Sequence, residues 1–134
     1  MHKTKIVTTF LTNSDKILLL KRSQKVKSMK NLWAGISGII EGNEEPVKRA
    51  KIEVYEEVGI VESNIKLIKE GDMILIESPQ YENHQWEVYP FLFSCDNREI
   101  KLNWENSDSR WIDLDELNNF STVPSLDKVL AGLF

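Results

Sequence analysis

The sequence predicts a layered α/β domain, in which helices cover a β-sheet. Three observations carry that prediction. Two helical segments, near 44–58 and from about 124 onward, each place apolar residues on one stripe. Short β-branched and apolar segments lie before and between them. One of these, Val88-Tyr89-Pro90-Phe91-Leu92-Phe93, is apolar on both faces and so belongs inside a sheet covered on both sides.

The elements follow in order. Ile6 to Leu11 is rich in β-branched residues and reads as a strand. The turn cluster Thr12-Asn13-Ser14-Asp15 leads to a buried strand, Ile17 to Leu20, which completes an opening hairpin. A basic loop comes next, with Lys21, Arg22, Lys25, Lys27 and Lys30 and no acid among them. Such a loop either sits solvated or faces phosphates, and Arg22, at a rigid strand end, is the better phosphate ligand. Trp33 to Ser37 is a short extended piece running into Gly38. The 44–58 helix has Asn43 as its expected N-cap, Pro46 in its first turn and Gly59 as a left-handed C-cap. Strands are expected near 73–77, 86–94 and 110–112, with Pro90 marking a bulge or an edge. The polar run 79–85 reads as a hairpin tip. In the last helix Leu126, Val129, Leu130 and Leu133 form the apolar stripe.

Length and composition bound the function. The 134 residues fit one domain, 1–134, and the 41% hydrophobic and 28% charged shares suit a globular fold. A net charge of −4 argues against duplex nucleic acid as a partner. No apolar run reaches membrane-spanning length, and no secretion signal opens the chain. The single cysteine, Cys95, reads as a core residue, and a reducing cytoplasm is the expected compartment.

Chemistry concentrates on the 44–58 helix. Val47, Ala50, Val54 and Val58 share the face expected to pack on the sheet. Glu53, Glu56 and Glu57, at i, i+3 and i+4, share another. Crowded carboxylates repel unless solvent or cations neutralise them, and oxygen-rich clusters suit Mg²⁺ or Mn²⁺. On spacing alone, an acidic surface face and a metal site both remain open.

The surroundings of that face decide between them. Gly38, five residues, Glu44, seven residues, then Ile52-Glu53-Val54-Tyr55-Glu56-Glu57-Val58-Gly59-Ile60 resembles the signature of the Nudix hydrolases. Trp33 to Gly38, the opening hairpin ending in Arg22, and Ser109-Arg110-Trp111-Ile112 also resemble family features. The resemblance implies an α/β/α sandwich with a mixed sheet. It also implies a Mg²⁺- or Mn²⁺-dependent hydrolase that cleaves a diphosphate linkage in a nucleoside-diphosphate-linked substrate. Glu53, Glu56 and Glu57 then become metal ligands with the Gly38 carbonyl, and Glu44 an orienting carboxylate. Glu105, just ahead of the 110–112 strand, is the candidate base, with Asp108 a weaker competitor. Dimers are frequent in the family, so a homodimer is compatible with this reading.

One position departs from the signature: the family's arginine, which holds and orients box carboxylates, is Ile52 here. Arg49 falls among the carboxylates on the helical wheel, and Lys48 lies one turn after Glu44. Either could take over the missing role, or Arg49 could compete with the metal. The alternative function is therefore a weak or inactive nucleotide-binding module. A rearrangement on the same scaffold would call for His or Cys, and only His2, His84 and Cys95 are available. For the substrate, a small nucleotide or diphosphate compound, the binding candidates are Arg22, Trp33, Gly38 and Arg49. Phe10, Tyr81, His84 and Trp86 are further candidates for stacking on a ring. Trp104, beside Glu105, could shape a pocket or pack, and His84 reads as an exposed loop residue.

Overall fold

In the computed structural model, which describes residues 2–77 and 84–134, the chain forms one mixed sheet between two helices. Strands β1 (His2–Asn13) and β2 (Lys16–Arg22) are joined by Ser14 and Asp15. Both turn residues have positive φ, 51° and 65°, which matches the right-handed twist of a tight hairpin. Two short strands follow, β3 (Trp33–Ala34) on β2 and β4 (Ile36–Ile39) on β1. After helix α1 (Pro46–Val58) come β5 (Ile65–Glu70), β6 (Ile74–Glu77), β7 (His84–Cys95) and β8 (Asn106–Ile112). Helix α2 (Leu126–Ala131) closes the fold.

The sheet is mixed because β7 runs parallel to β1, while the other pairings are antiparallel. Alternation along the strands builds two cores. Leu18, Leu20, Phe91 and Phe93 face α1, whose Ala50, Val54 and Val58 are fully buried against them. Ile17, Leu19, Val88 and Leu92 face α2 and its Leu126, Val129 and Leu130, with Leu133 beyond. Each buried valine or leucine side chain stabilises by about 1.5–3 kcal/mol, so both helices are held by tertiary contacts rather than by propensity.

Several expectations need correction. Helix α1 begins at Pro46 with Glu45 as N-cap, not at 44 after Asn43. The reason is that Glu44 turns its carboxylate back to accept from the Glu41 N–H (2.8 Å) and from Arg49. Gly59 does adopt the left-handed cap, φ 76°, and its N–H donates to the Tyr55 carbonyl. Pro90 sits neither at an edge nor in a bulge. It lies where β5 hands over to β6, and its carbonyl accepts from the Gly71 N–H. The register shifts instead in β5, between Leu67 and Lys69, and in the β2–β8 pairing, between Lys21 and Arg22. The last helix starts at Leu126 rather than near Pro124, because Ser125 takes a left-handed conformation (φ 67°) that interrupts it. His84 is not a loop residue: it begins β7, half-buried, and bonds the Thr4 Oγ1 at 2.8 Å. Gln85 follows it in β7 rather than in a hairpin tip, and residues 79–83 of the expected tip, with Tyr81, lie outside the described residues.

Candidate active site

A cleft of about 780 Å³ opens where β4, the Arg49–Glu56 stretch of α1 and the segment before β8 converge. Its charged end carries Arg22, Gly38, Glu41, Arg49, Glu53, Glu56 and Glu105. Its other end is lined by Ile6, Ile76, Trp86, Val88, Leu126 and Val129, with Glu77 among them.

Helix spacing sets the three box carboxylates at different depths. Glu53 and Glu57 are buried, whereas Glu56 is exposed at the cleft. Gly38 explains how Glu53 fits. A Cβ built there would lie 2.6 Å from Glu53 Oε1 and nearer still to its carbon atoms, so the side chain rests directly on bare backbone. Burial pushes the Glu53 carboxyl up, and the charges of Glu56 and Glu105 add to that, while Arg49 opposes it.

Glu57 is the most enclosed of the set, at 3% exposure. Its Oε1 accepts from Asn106 Nδ2 at 3.2 Å, and its Oε2 has no hydrogen-bond partner. Burial, then the charge of Glu105, raises its pKa well above the ordinary carboxylate range. A buried carboxylate oxygen without a partner costs free energy unless the group takes up a proton or a cation meets it. The oxygens of Glu53, Glu56 and Glu57 are hard donors of the kind that a divalent cation of the Mg²⁺ type takes, and Gly38 lines the cleft beside Glu53. Arg49 Nη1 donates to Glu53 Oε2 at 3.2 Å.

Among the described residues, the group of three acids with oxygens all within 4.8 Å of one another is elsewhere, at Asp113, Asp115 and Glu116. There Asp113 and Glu116 form a capping box and Asp113 pairs with Lys16 at 2.9 Å, so that cluster already has a structural use.

Arg49 is the centre of the charged end. Its Nε and Nη2 donate to the two Glu44 oxygens at 3.0 and 2.7 Å, and the Glu41 carboxylate lies 3.8 Å away. These contacts hold the Glu44 carboxyl below its usual range, led by the Arg49 hydrogen bond, and hold the guanidinium firmly protonated. No Lys48–Glu44 ion pair forms among the described residues, so the partner of Glu44 is Arg49. Ile52 lines the cleft, half-buried.

Glu105 sits beside the buried pair on the segment leading into β8, tied by its carbonyl to the Ser23 N–H at 2.8 Å. Asp108 is outside the cleft lining, 3.9 Å from Arg110. Arg22 lines the cleft and also clamps the basic loop through the Ser28 carbonyl, at 3.3 and 3.1 Å. Lys25, Lys27 and Lys30 are exposed. Trp33 does not line the cleft: its ring packs edge-on against Phe120, 5.1 Å between centroids. Phe10 is fully buried in the α2-side core, and Trp104 is 60% exposed outside the cleft. Among the described residues, Trp86 is the stacking candidate that lines the cleft. Asn106, the partner of Glu57, was missed; its place directly after Glu105 is the one signal that pointed to it.

Comparison with known proteins agrees with this architecture. The family profile described as NUDIX domain matches residues 2–133. An RNA pyrophosphohydrolase of Bartonella clarridgeiae is 32% identical over 107 residues, 66% of this chain, and the match spans only 61% of that relative's length. Among solved structures, a MutT NUDIX hydrolase from Burkholderia pseudomallei superposes with a TM-score of 0.75 at 19% identity, covering 100% of both chains. The NUDIX domain of Shewanella oneidensis NrtR, solved with ADP ribose, gives 0.73 at 14% identity, covering 99% of this chain and 86% of that one. The structural likenesses speak to fold, and the profile match over nearly every residue speaks to descent: this chain belongs to the Nudix family.

Proposed function

We propose that the protein is a divalent-metal-dependent hydrolase that cleaves a diphosphate linkage in a nucleoside-diphosphate-linked substrate, with water attacking phosphorus. The observation that carries this reading is Glu57, a buried carboxylate with one oxygen unpartnered, beside Glu53 and Glu105. Buried side-chain oxygens are ordinarily hydrogen-bonded, so an unpartnered carboxylate oxygen at 3% exposure points to a partner that binds there.

In this reading Glu53, Glu56 and the Gly38 carbonyl, from residues that line the cleft, would hold the cation together with Glu57, which is buried and does not itself line the cleft. When bound, Mg²⁺ or Mn²⁺ neutralises diphosphate charge and makes a coordinated water more acidic. Glu105 accepts the proton of the attacking water at its carboxylate, and Arg22 offers its remaining donors to phosphate oxygens. The apolar end of the cleft takes the organic part of the substrate, with Trp86 as its ring platform. The RNA pyrophosphohydrolase relative supports a pyrophosphohydrolase activity, and the ADP ribose complex of NrtR supports a nucleotide-sized ligand. The buried, free Cys95 suits a reducing compartment such as the cytoplasm, and no described helix is long and apolar enough to cross a membrane.

The test is a panel of dinucleoside polyphosphates, nucleotide sugars, ADP-ribose and nucleoside triphosphates, each with Mg²⁺ or Mn²⁺. Wild type should turn over at least one compound, and Glu56→Gln and Glu57→Gln should each fall by at least ~100-fold. Undiminished activity in both variants sinks the assignment. A second reading, a binding module without turnover, draws on Ile52 and on the Arg49 contact with Glu53. It predicts a thermal shift with nucleotides and no phosphate release from any compound.

A further inference from the structure

We infer that Arg49 is the positioning residue for Glu53, taking over from one turn away the work that an arginine at position 52 does elsewhere in the family. The inference rests on the metal-dependent reading above. Three observations carry it.

First, Arg49 reaches both halves of the box at once. Its Nε and Nη2 grip Glu44 as a two-pronged fork, while Nη1 holds Glu53 Oε2 at 3.2 Å. The loop before α1 and the helix are thereby fastened together across one guanidinium. Second, helical side chains lean toward the N-terminus, so Glu53 leans back over the turn that carries Arg49. This chain has therefore put its cation where Glu53 already points. An arginine preceding a glutamate by four residues is the weaker order for an isolated helical pair, and the additional hold on Glu44 compensates. Third, Glu53 is constrained on its other side. Its Oε1 lies against Gly38, so the carboxylate is fixed between bare backbone and guanidinium where it lines the cleft.

The exchange also accounts for Ile52. Once Arg49 holds the carboxylates, position 52 needs no charge and contributes an apolar side chain to the cleft wall. Arg49, with three of its nitrogens engaged and its side chain 13% exposed, serves the carboxylates rather than the substrate.

The test compares wild type, Arg49→Ala, Arg49→Lys and the double variant Arg49→Ala/Ile52→Arg. Two readouts are used: Mn²⁺ affinity by electron paramagnetic resonance, and kcat and KM on whichever diphosphate compound wild type turns over. Outer partners of metal ligands typically contribute ~10–100-fold, so Arg49→Ala should weaken Mn²⁺ binding about tenfold or more and lower kcat with KM little changed. Arg49→Lys, a single point charge that cannot bridge both carboxylates, should fall between. The double variant should recover at least a third of the lost kcat, which a merely structural role for Arg49 would not allow. Mn²⁺ affinity and kcat in Arg49→Ala equal to or above wild type overturn the inference. A double variant no better than Arg49→Ala overturns it as well, as does the absence of Mn²⁺ binding by every protein tested. If wild type binds Mn²⁺ in the expected order but turns over nothing, hydrolysis is refuted and the Arg49 assignment stands.

Discussion

Gly38→Ala concentrates the geometry of the site in one methyl group. The added Cβ would fall within the Glu53 side chain, 2.6 Å from Oε1 and closer to the carbons. The backbone there has no positive φ, so the penalty is steric rather than conformational. Overpacking of a filled site costs about 1–3 kcal/mol, a substantial share of a total stability near 5–15 kcal/mol. Glu53 can escape only by rotating away from Gly38, which also breaks its bond to Arg49. A ligand displaced by about 1 Å loses on the order of 100-fold in rate. Urea unfolding of the metal-free protein and turnover with Mn²⁺ should therefore both fall. Gly42→Ala is the control. Gly42 has φ 56° and nothing within 4 Å of an added Cβ, so it should lose about 1–2 kcal/mol from left-handed strain and keep its rate. A Gly38→Ala protein within twofold of wild type in turnover, with the same urea midpoint, refutes the steric argument.

Other perturbations follow from the same geometry. In the metal-free protein the raised Glu57 carboxyl means that the folded state binds more protons than the unfolded one. Its contribution is then fully present below the ordinary glutamate value of about 4.3 and is lost as pH rises through the folded pKa. Glu57→Gln should flatten that decline in urea midpoints, and parallel declines in both proteins contradict the assignment. Trp86→Ala should raise KM about tenfold, or ~1.4 kcal/mol, with kcat little changed, since it lines the end of the cleft away from the carboxylates. Steady-state kinetics decide this, and a pure kcat effect would place Trp86 elsewhere in the cycle. Arg22→Ala should lower kcat/KM more than tenfold, whereas the exposed Lys25, Lys27 and Lys30, replaced together by Ala, should change it less than threefold at physiological salt. Equal losses would show that the loop lysines contact the substrate.

Much of the architecture was legible because apolar spacing carries it. Ala50, Val54 and Val58 repeat at helical intervals, and Ile17 to Leu20 alternates between two cores, so α1 and β2 could be read directly. Strand β5 could not, because Ile65–Glu70 is largely exposed and exists through pairing with β7, a long-range contact invisible to local pattern. The charged end was partly legible. Spacing brought Glu53, Glu56 and Glu57 to one face and Arg49 among them. It did not say that Glu56 stays at the surface while Glu57 goes under, because that depends on Asn106 arriving from β8. Trp33 illustrates the opposite error. An aromatic in the extended piece before Gly38 read as a substrate-binding candidate, and the segment 120–123 packs on it instead, with Trp33 N–H donating to the Ser121 carbonyl. The start of α1 was misread for a related reason: Glu44 was drawn out of the helix by an arginine that lies five residues later.

The claim that the buried carboxylates of α1 form a cation site is tested most directly by titrating Mn²⁺ into wild type and Glu57→Gln and reading free metal. Neutralising Glu57 removes one ligand charge and leaves its amide still able to bond Asn106, so the fold should persist. Saturable binding by wild type, weakened at least ~100-fold in Glu57→Gln whose metal-free thermal stability is no lower than that of wild type, is the expected result. Equal affinity in the two proteins would contradict the site, and with it the reading of Glu57 as more than a buried acid.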